Sequence, residues 1–322
     1  MAAPEELARQ LQQLAKPCTE LESSGQLLQC LRQAQTYSSP ASVEPIRVFA
    51  NAGGVRALGT AMKVNTPLCS EWADDQRPAI DLAEVHKEAC GFLNNLAAAA
   101  LAGHDDIVSE LRAADIIPVL VSSVDAYVKQ PEVLHRALPA LAQMSSLMAD
   151  QLEASEAAVV VVRCMTTADA NDVWIQCSGA RVLNSQLSRG PAAKQALLHA
   201  GGLQAAVRAL DAAPDQAKAP RGFSFDSAQL RTKLVAMGAP LLQQLGALAS
   251  ELYPPGKKGV LRNLSGRADL NGGAAEVVKP TSEEAASLRV KGRVKVRTAT
   301  NETLSVQFKN LWVDGLAEVH VS

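Results

Sequence analysis

Aromatic residues are scarce. Phe, Tyr and Trp make up 3% of the 322 positions, so the 48% hydrophobic content rests mainly on Ala, Leu and Val. Ala and Leu are strong helix formers, and small side chains let helices pack closely. No run of about 18 apolar residues occurs, which argues against a membrane-spanning helix. The opening MAAPEELARQLQQL has neither a basic segment nor an unbroken apolar one, so no secretory signal is expected. The glycosylation sequons NLS (263–265) and NET (301–303) are then chance matches. Neither sign of charge dominates: 31 Lys+Arg face 33 Asp+Glu, a formal −2. That total does not suggest nucleic acid or an anionic membrane as partner. The distribution is uneven, because residues 257–322 hold 11 Lys+Arg and 7 Asp+Glu, leaving 20 and 26 for the rest. Of the six cysteines (Cys18, Cys30, Cys69, Cys90, Cys164 and Cys177) none forms a C-x-x-C pair. Reduced, buried thiols are expected, in a cytoplasmic protein, with the nucleus as the alternative.

Signs of catalysis are equally sparse. The histidines, His86, His104, His135, His199 and His320, have no His or Cys partner at metal-ligand spacing. In GHDD (103–106) the two acids suit a helix start. PPGKKG (254–259) lacks the spacing and the Ser/Thr of a phosphate loop, and CSGA (177–180) falls within a helix rather than on a nucleophile elbow. A non-catalytic protein is expected, with no catalytic, cofactor-binding or metal-binding residue and no small-molecule substrate.

What the chain does have is a repeat, and its length suggests roughly two domains. NAGGVRALGTAM (51–62), AADIIPVLVSSV (113–124), EASEAAVVVVRC (153–164) and HAGGLQAAVRAL (199–210) each put Ala before a break and then open an apolar run. Aligning Ala52, Ala114, Ala154 and Ala200 gives separations of 62, 40 and 46 residues. A loop within 63–82, rich in Pro, Asn and Asp, accounts for the long first interval. Longer amphipathic helices lie between: 81–102, 130–149, 172–188 and 227–252, the last kinked near Pro240. In the first of these, Ala89, Phe92, Leu93 and Leu96 mark one buried stripe. Helices at 4–15 and about 26–37 read as an incomplete first unit. Pro139, inside a helix, reads as a structural kink.

The period, with the HAGGLQAAVRAL and EACGFLNNLA segments (the latter 88–97), resembles the armadillo repeat of the importin alpha and catenin type over about residues 10–253. HEAT-like or mixed packing is the alternative, since the second corner holds Asp-Ile and the third Ser-Glu where glycines belong. The resemblance implies a docking device. An Asn near the end of each long helix bonds a peptide main chain, and a Trp one turn earlier forms a slot. Asn95 falls at the first Asn position with Gly91 at the Trp position. Gln143 and Pro139 take those places in the next unit. Ser185, with Asn184 beside it, and Arg181 take them in the third. Asn95, Gln143, Arg181, Asn184 and Ser185 are thus candidate partner-binding residues. The substitutions argue against an extended-peptide groove of the importin kind.

After ELYPPGKKG (251–259) the period becomes that of strands. Asn271-Gly272 signals a tight turn, and GRVKVRTATNETLSVQFKNLWV (292–313) alternates about a turn near Thr300-Asn301. GLAEVHVS (315–322) offers a closing strand. Five strands with the order RADLNGG, GRVKV, LSVQFKNLWV resemble a small Src-homology-3-like barrel with an R-P-D-L-N-G turn, Ala268 standing where that turn has Pro. Such modules occur in modular proteins of algae and protists. A proline-rich-peptide pocket is disfavoured, since only Phe308 and Trp312 are at hand. Lys291, Arg293, Lys295 and Arg297 form a basic face, read first as the solvated side of a strand.

The expected fold is mainly α: a right-handed armadillo-like solenoid (1–253), a linker (254–258) and a five-stranded SH3-like barrel (259–322). The expected role is an adaptor that docks another protein on the concave face, with a second contact from the barrel. The alternatives are a structural subunit of a larger assembly, or phosphate or nucleic-acid binding through the basic strand.

Overall fold

The computed structural model describes residues 2–16, 21–37, 43–66, 82–154, 156–169, 171–212 and 227–313. Most of the expected 63–82 loop and the 315–322 strand lie outside the described residues, as do Cys18, Cys69 and His320. The chain divides into two compact units, Met1–Val160 and Val161–Ser322.

The first unit is helical: α1 (Pro4–Leu14), α2 (Leu21–Thr36), α3 (Glu44–Asn51), α4 (Gly54–Val64), α5 (Leu82–Leu101), α6 (Asp105–Ala113), α7 (Ile116–Ala126), α8 (Pro131–Leu147), α9 (Ala149–Ala154) and the start of α10 (Ala157–Thr167). Proline in the first turn opens α1, α3 and α8, where its missing N–H costs nothing. α5 packs between α2 and α8, and α4 packs against α1 and α7. The expected stripe of Ala89, Phe92, Leu93 and Leu96 is fully buried. Phe92 meets Phe49 edge-on at 5.1 Å, the largest side chains of this core.

The second unit continues with α11 (Val173–Leu187), α12 (Pro191–His199), α13 (Gly202–Asp211) and α14 (Ser227–Leu252), which runs as one helix through Pro240. Asp172 caps α11 by accepting from the Ile175 N–H at 3.2 Å. α14 packs on α11 and α13.

The corners before α4, α7, α10 and α13 share one backbone conformation. Gly53, Asp115, Glu156 and Gly201 have φ of 82°, 50°, 53° and 97°. The third corner therefore lies at Glu156, one position beyond the register expected from Ala154. Glycine adopts this left-handed region without strain, and an L side chain does not. The next glycines serve packing instead. A Cβ on Gly54 would sit 2.4 Å from the Phe49 ring, and one on Gly202 would sit 2.8 Å from the Leu197 carbonyl oxygen.

Five antiparallel strands follow: β1 (Lys258–Leu261), β2 (Ala274–Val277), β3 (Arg293–Thr298), β4 (Thr303–Gln307) and β5 (Leu311–Val313), in the order β4-β3-β2-β1-β5. They do not form the expected barrel. β4 and β5 are the two edges of an open sheet, and no ladder joins them among the described residues. Asn301, with φ 64°, makes the β3–β4 turn where the sequence placed it. The stretch read as a linker bonds to the sheet, through Gly256 N–H to Val277 O at 2.7 Å and Val277 N–H to Lys257 O at 2.8 Å. A further helix, α15 (Ser282–Val290), precedes β3 and was not expected. A reciprocal cap holds its start. The Glu284 N–H donates to Thr281 Oγ1, and the Thr281 N–H donates to the Glu284 carboxylate.

Candidate functional site

The candidate residues of the first unit lie on the row α2-α5-α8. Gln35 of α2 donates to the Glu88 carbonyl of α5 at 3.0 Å. Gln143 of α8 donates to Asn94 Oδ1 of α5 at 2.7 Å. Gln143 thus meets Asn94 rather than Asn95. Asn95 is half-buried, and its side chain has no hydrogen bond among the described residues. Gly91, at the expected Trp position, is buried, and a Cβ there would sit 3.0 Å from Gln35 Nε2. A side chain at that point would press on the Gln35 amide, which would have to give by a few tenths of an ångström. The charges at the α2 end are matched: Arg32 lies 3.1 Å from Glu84 and 3.8 Å from Glu88, and Lys87 pairs with Glu84 at 2.5 Å.

In the second unit, α11 carries the other three candidates. Asn184 donates to the Ala180 carbonyl at 3.0 Å and to the Met237 carbonyl of α14 at 2.5 Å. Ser185 Oγ turns back to its own helix at Val182 O, 2.7 Å. Arg181 is exposed. Asn184 therefore ties helices together, as Asn94 does, and only Arg181 reaches solvent freely.

His86 is a core residue. It is fully buried, with Nε2 3.2 Å from the Asn65 carbonyl and Nδ1 3.0 Å from Ser123 Oγ. Burial lowers its pKa to about 4 against the opposing pull of the Asn65 carbonyl, so the ring is neutral at pH 7. With its proton on Nε2 the neutral ring donates to the Asn65 carbonyl, and Nδ1 competes with the Val119 carbonyl, 2.9 Å from Ser123 Oγ, for the Ser123 hydroxyl proton. His199 lies 2.9 Å from the Tyr253 hydroxyl, which also reaches the Phe308 carbonyl at 3.3 Å. Burial lowers the His199 pKa and raises that of Tyr253. Cys90 and Cys164 are buried and free, with thiol pKa pushed up to about 12 by burial. Among the described residues no group of three or more His, Cys, Asp or Glu could hold a metal ion, and no helix is long and apolar enough to cross a membrane.

The basic face on β3 is broken up. Lys295 is held by both oxygens of Glu284, at 2.7 and 2.8 Å. Its hydrogen bonds, first among the causes, keep the Glu284 carboxyl below its ordinary range. Arg297 has Glu276 opposite it in the β2 ladder. Lys291 and Arg293 are exposed. Arg293 instead lines a cleft of about 410 Å³ with Arg267, Lys309, Ser305, Gln307 and the 263–266 loop. This cleft was not foreseen, because Arg267 and Lys309 stand far from β3 in the sequence.

The chain matches no protein-family model and no curated protein. It is similar to two engineered proteins solved by the Northeast Structural Genomics Consortium. One shares 22% identity over 79% of this chain and 90% of the other, with a TM-score of 0.49. The second shares 20% identity over 79% and 92%, also at 0.49. At that score the likeness carries no argument about fold or role.

Proposed function

We propose that this protein is a non-catalytic adaptor: an armadillo-like, right-handed solenoid that docks another protein on its long-helix face, with a second contact from the sheet. Four successive sets of short, second and long helix (α3–α5, α6–α8, α9–α11 and α12–α14) support the repeat, each with a left-handed corner between its first two helices. The observation that carries the docking face is Asn95. Its neighbours Asn94 and Gln143 are spent on each other, while the Asn95 side chain keeps both donor and acceptor without a hydrogen bond among the described residues. A half-exposed carboxamide can answer a partner's main chain in both directions.

Affinity purification with crosslinking, on the natural chain and on Asn95→Arg, tests the reading. A partner crosslinked to α5 or α8 and lost in the variant supports it. Partners that persist unchanged, with crosslinks elsewhere, remove this face from the account. A permanent structural subunit would never elute alone on native size exclusion, which separates that alternative. Phosphate or nucleic-acid binding through β3 gains little from a stripe whose middle cation is already paired. Binding unaffected by reversing Arg293 and Arg297, or insensitive to salt, would rule it out.

A further inference from the structure

β4 is an edge strand whose outer side is unpaired among the described residues. Its hydrogen-bonding phase can be read from the two ends of the hairpin. Phe308 N–H donates to Gly292 O at 3.2 Å, and Thr298 N–H donates to Glu302 O at 2.9 Å. With the register Val294↔Val306 and Val296↔Leu304, the even-numbered residues of β4 exchange bonds with β3. Ser305 and Gln307 therefore aim their own N–H and C=O groups away from β3, and both residues line the 410 Å³ cleft. β4 reads TLSVQ. It carries no charge, proline or bulge, the devices that usually protect an edge from pairing.

The far wall of the cleft is the 263–267 loop, and it is fixed at both ends. Asn310 Nδ2 donates to the Arg262 and Asn263 carbonyls, each at 2.9 Å. Arg267 bonds Glu302 in the β3–β4 turn at 2.6 and 3.0 Å. A cleft held open in this way costs little ordering when a ligand enters. Its charged lining is wholly basic: Arg267, Arg293 and Lys309. Arg267 is already matched by Glu302 and Asp269, whereas Arg293 and Lys309 have no ion pair among the described residues.

We propose that β4 is a strand-addition site for an extended acidic peptide segment of a partner protein. Its main chain would pair with Ser305 and Gln307, and its carboxylates would meet Arg293 and Lys309. This gives the sheet's contact in the adaptor reading a partner chemistry. It can fail while the helical face stands.

The probe is a fluorescent peptide, Gly-Glu-Val-Glu-Val-Glu-Gly, compared with its lysine counterpart by anisotropy on the full chain at low salt. A third peptide keeps the acidic sequence but N-methylates alternate amides. Expected is at least tenfold tighter binding of the acidic peptide than of the other two. Hydrogen exchange at the Ser305 and Gln307 amides should slow at least tenfold on saturation. Arg293→Glu with Lys309→Glu, checked by circular dichroism, should reverse the preference between the acidic and basic peptides, and Asn95→Arg should leave binding unchanged. Absence of acidic-peptide binding, equal binding of the N-methylated peptide, or unaltered exchange at the two amides overturns the proposal. So does protection of those amides in the free chain, by a second copy or otherwise, since the edge is then already taken.

Discussion

Single residues set the cost of the four corners. Asp115 is exposed, yet it holds φ 50°. Asp115→Gly should stabilise the protein by roughly 0.5 kcal/mol, the relief of left-handed strain less the entropy glycine loses on folding. Gly201→Ala should do the reverse, costing about 1–2 kcal/mol. Urea denaturation of the two variants checks both signs, and a stabilised Gly201→Ala would contradict the shared conformation. His86 gives a pH dependence. Its folded pKa near 4 lies below the unfolded value, so the unfolded chain binds the proton first. Its contribution is intact above pH 6.5, shrinks as pH falls toward 4, and is flat below that, by roughly 3 kcal/mol at most. Denaturant midpoints from pH 7 to pH 4 should fall, and the slope should flatten in His86→Gln. An equal slope in that variant would assign the effect to other groups. At this scale the sequence was least legible. Asn94 and Asn95 are adjacent letters, and which one meets Gln143 depends on how α8 lies against α5. The third corner was misplaced by one residue because neither Ser155 nor Glu156 announces positive φ, whereas Gly53 and Gly201 do.

Helices and strands were far more readable. The stripe through Ala89 and Leu96 and the alternation of Val294 and Val296 follow from periods of 3.6 and 2, which are local properties. Short α15 escaped because SEEAASLRV has little apolar periodicity, although its start carried a legible signal, Thr281 and Glu284 at capping-box spacing. Thr281→Ala should cost about 1 kcal/mol and speed amide exchange in the first turn of α15. Lys295→Met should cost less, since a pair this exposed is screened by water. If the two substitutions have the same effect, the cap is not what holds the helix start. Gly202→Ala tests packing. A methyl 2.8 Å from the Leu197 carbonyl and from Leu245 forces helices apart, and about 1–3 kcal/mol should be lost.

On the scale of the molecule, the two compact units predict two unfolding transitions. Acidification acts on both, through His86 in the first and His199 in the second, whereas Gly202→Ala acts on the second alone. Calorimetry at pH 7 and pH 5 on both chains should resolve which transition moves. Acid should lower both transitions of the natural chain, and at pH 7 the variant should lose temperature only in the second. A single transition that moves in both cases would mean the chain melts as one cooperative body. Closure of the sheet was beyond the sequence. Alternation fixes which side of a strand is wet, but whether a sheet curls until its edges meet depends on coiling and on long-range contacts that no short motif encodes.

The bond between Lys295 and Glu284 also shapes what β3 offers to a long polyanion. Arg293 and Arg297 stand four residues apart, about 13 Å along an extended strand, with a cancelled charge midway between them. A regular train of phosphates would meet two beads and a blank, an interval it cannot match at every step. A flexible chain with a few carboxylates can place them wherever the positive beads happen to fall.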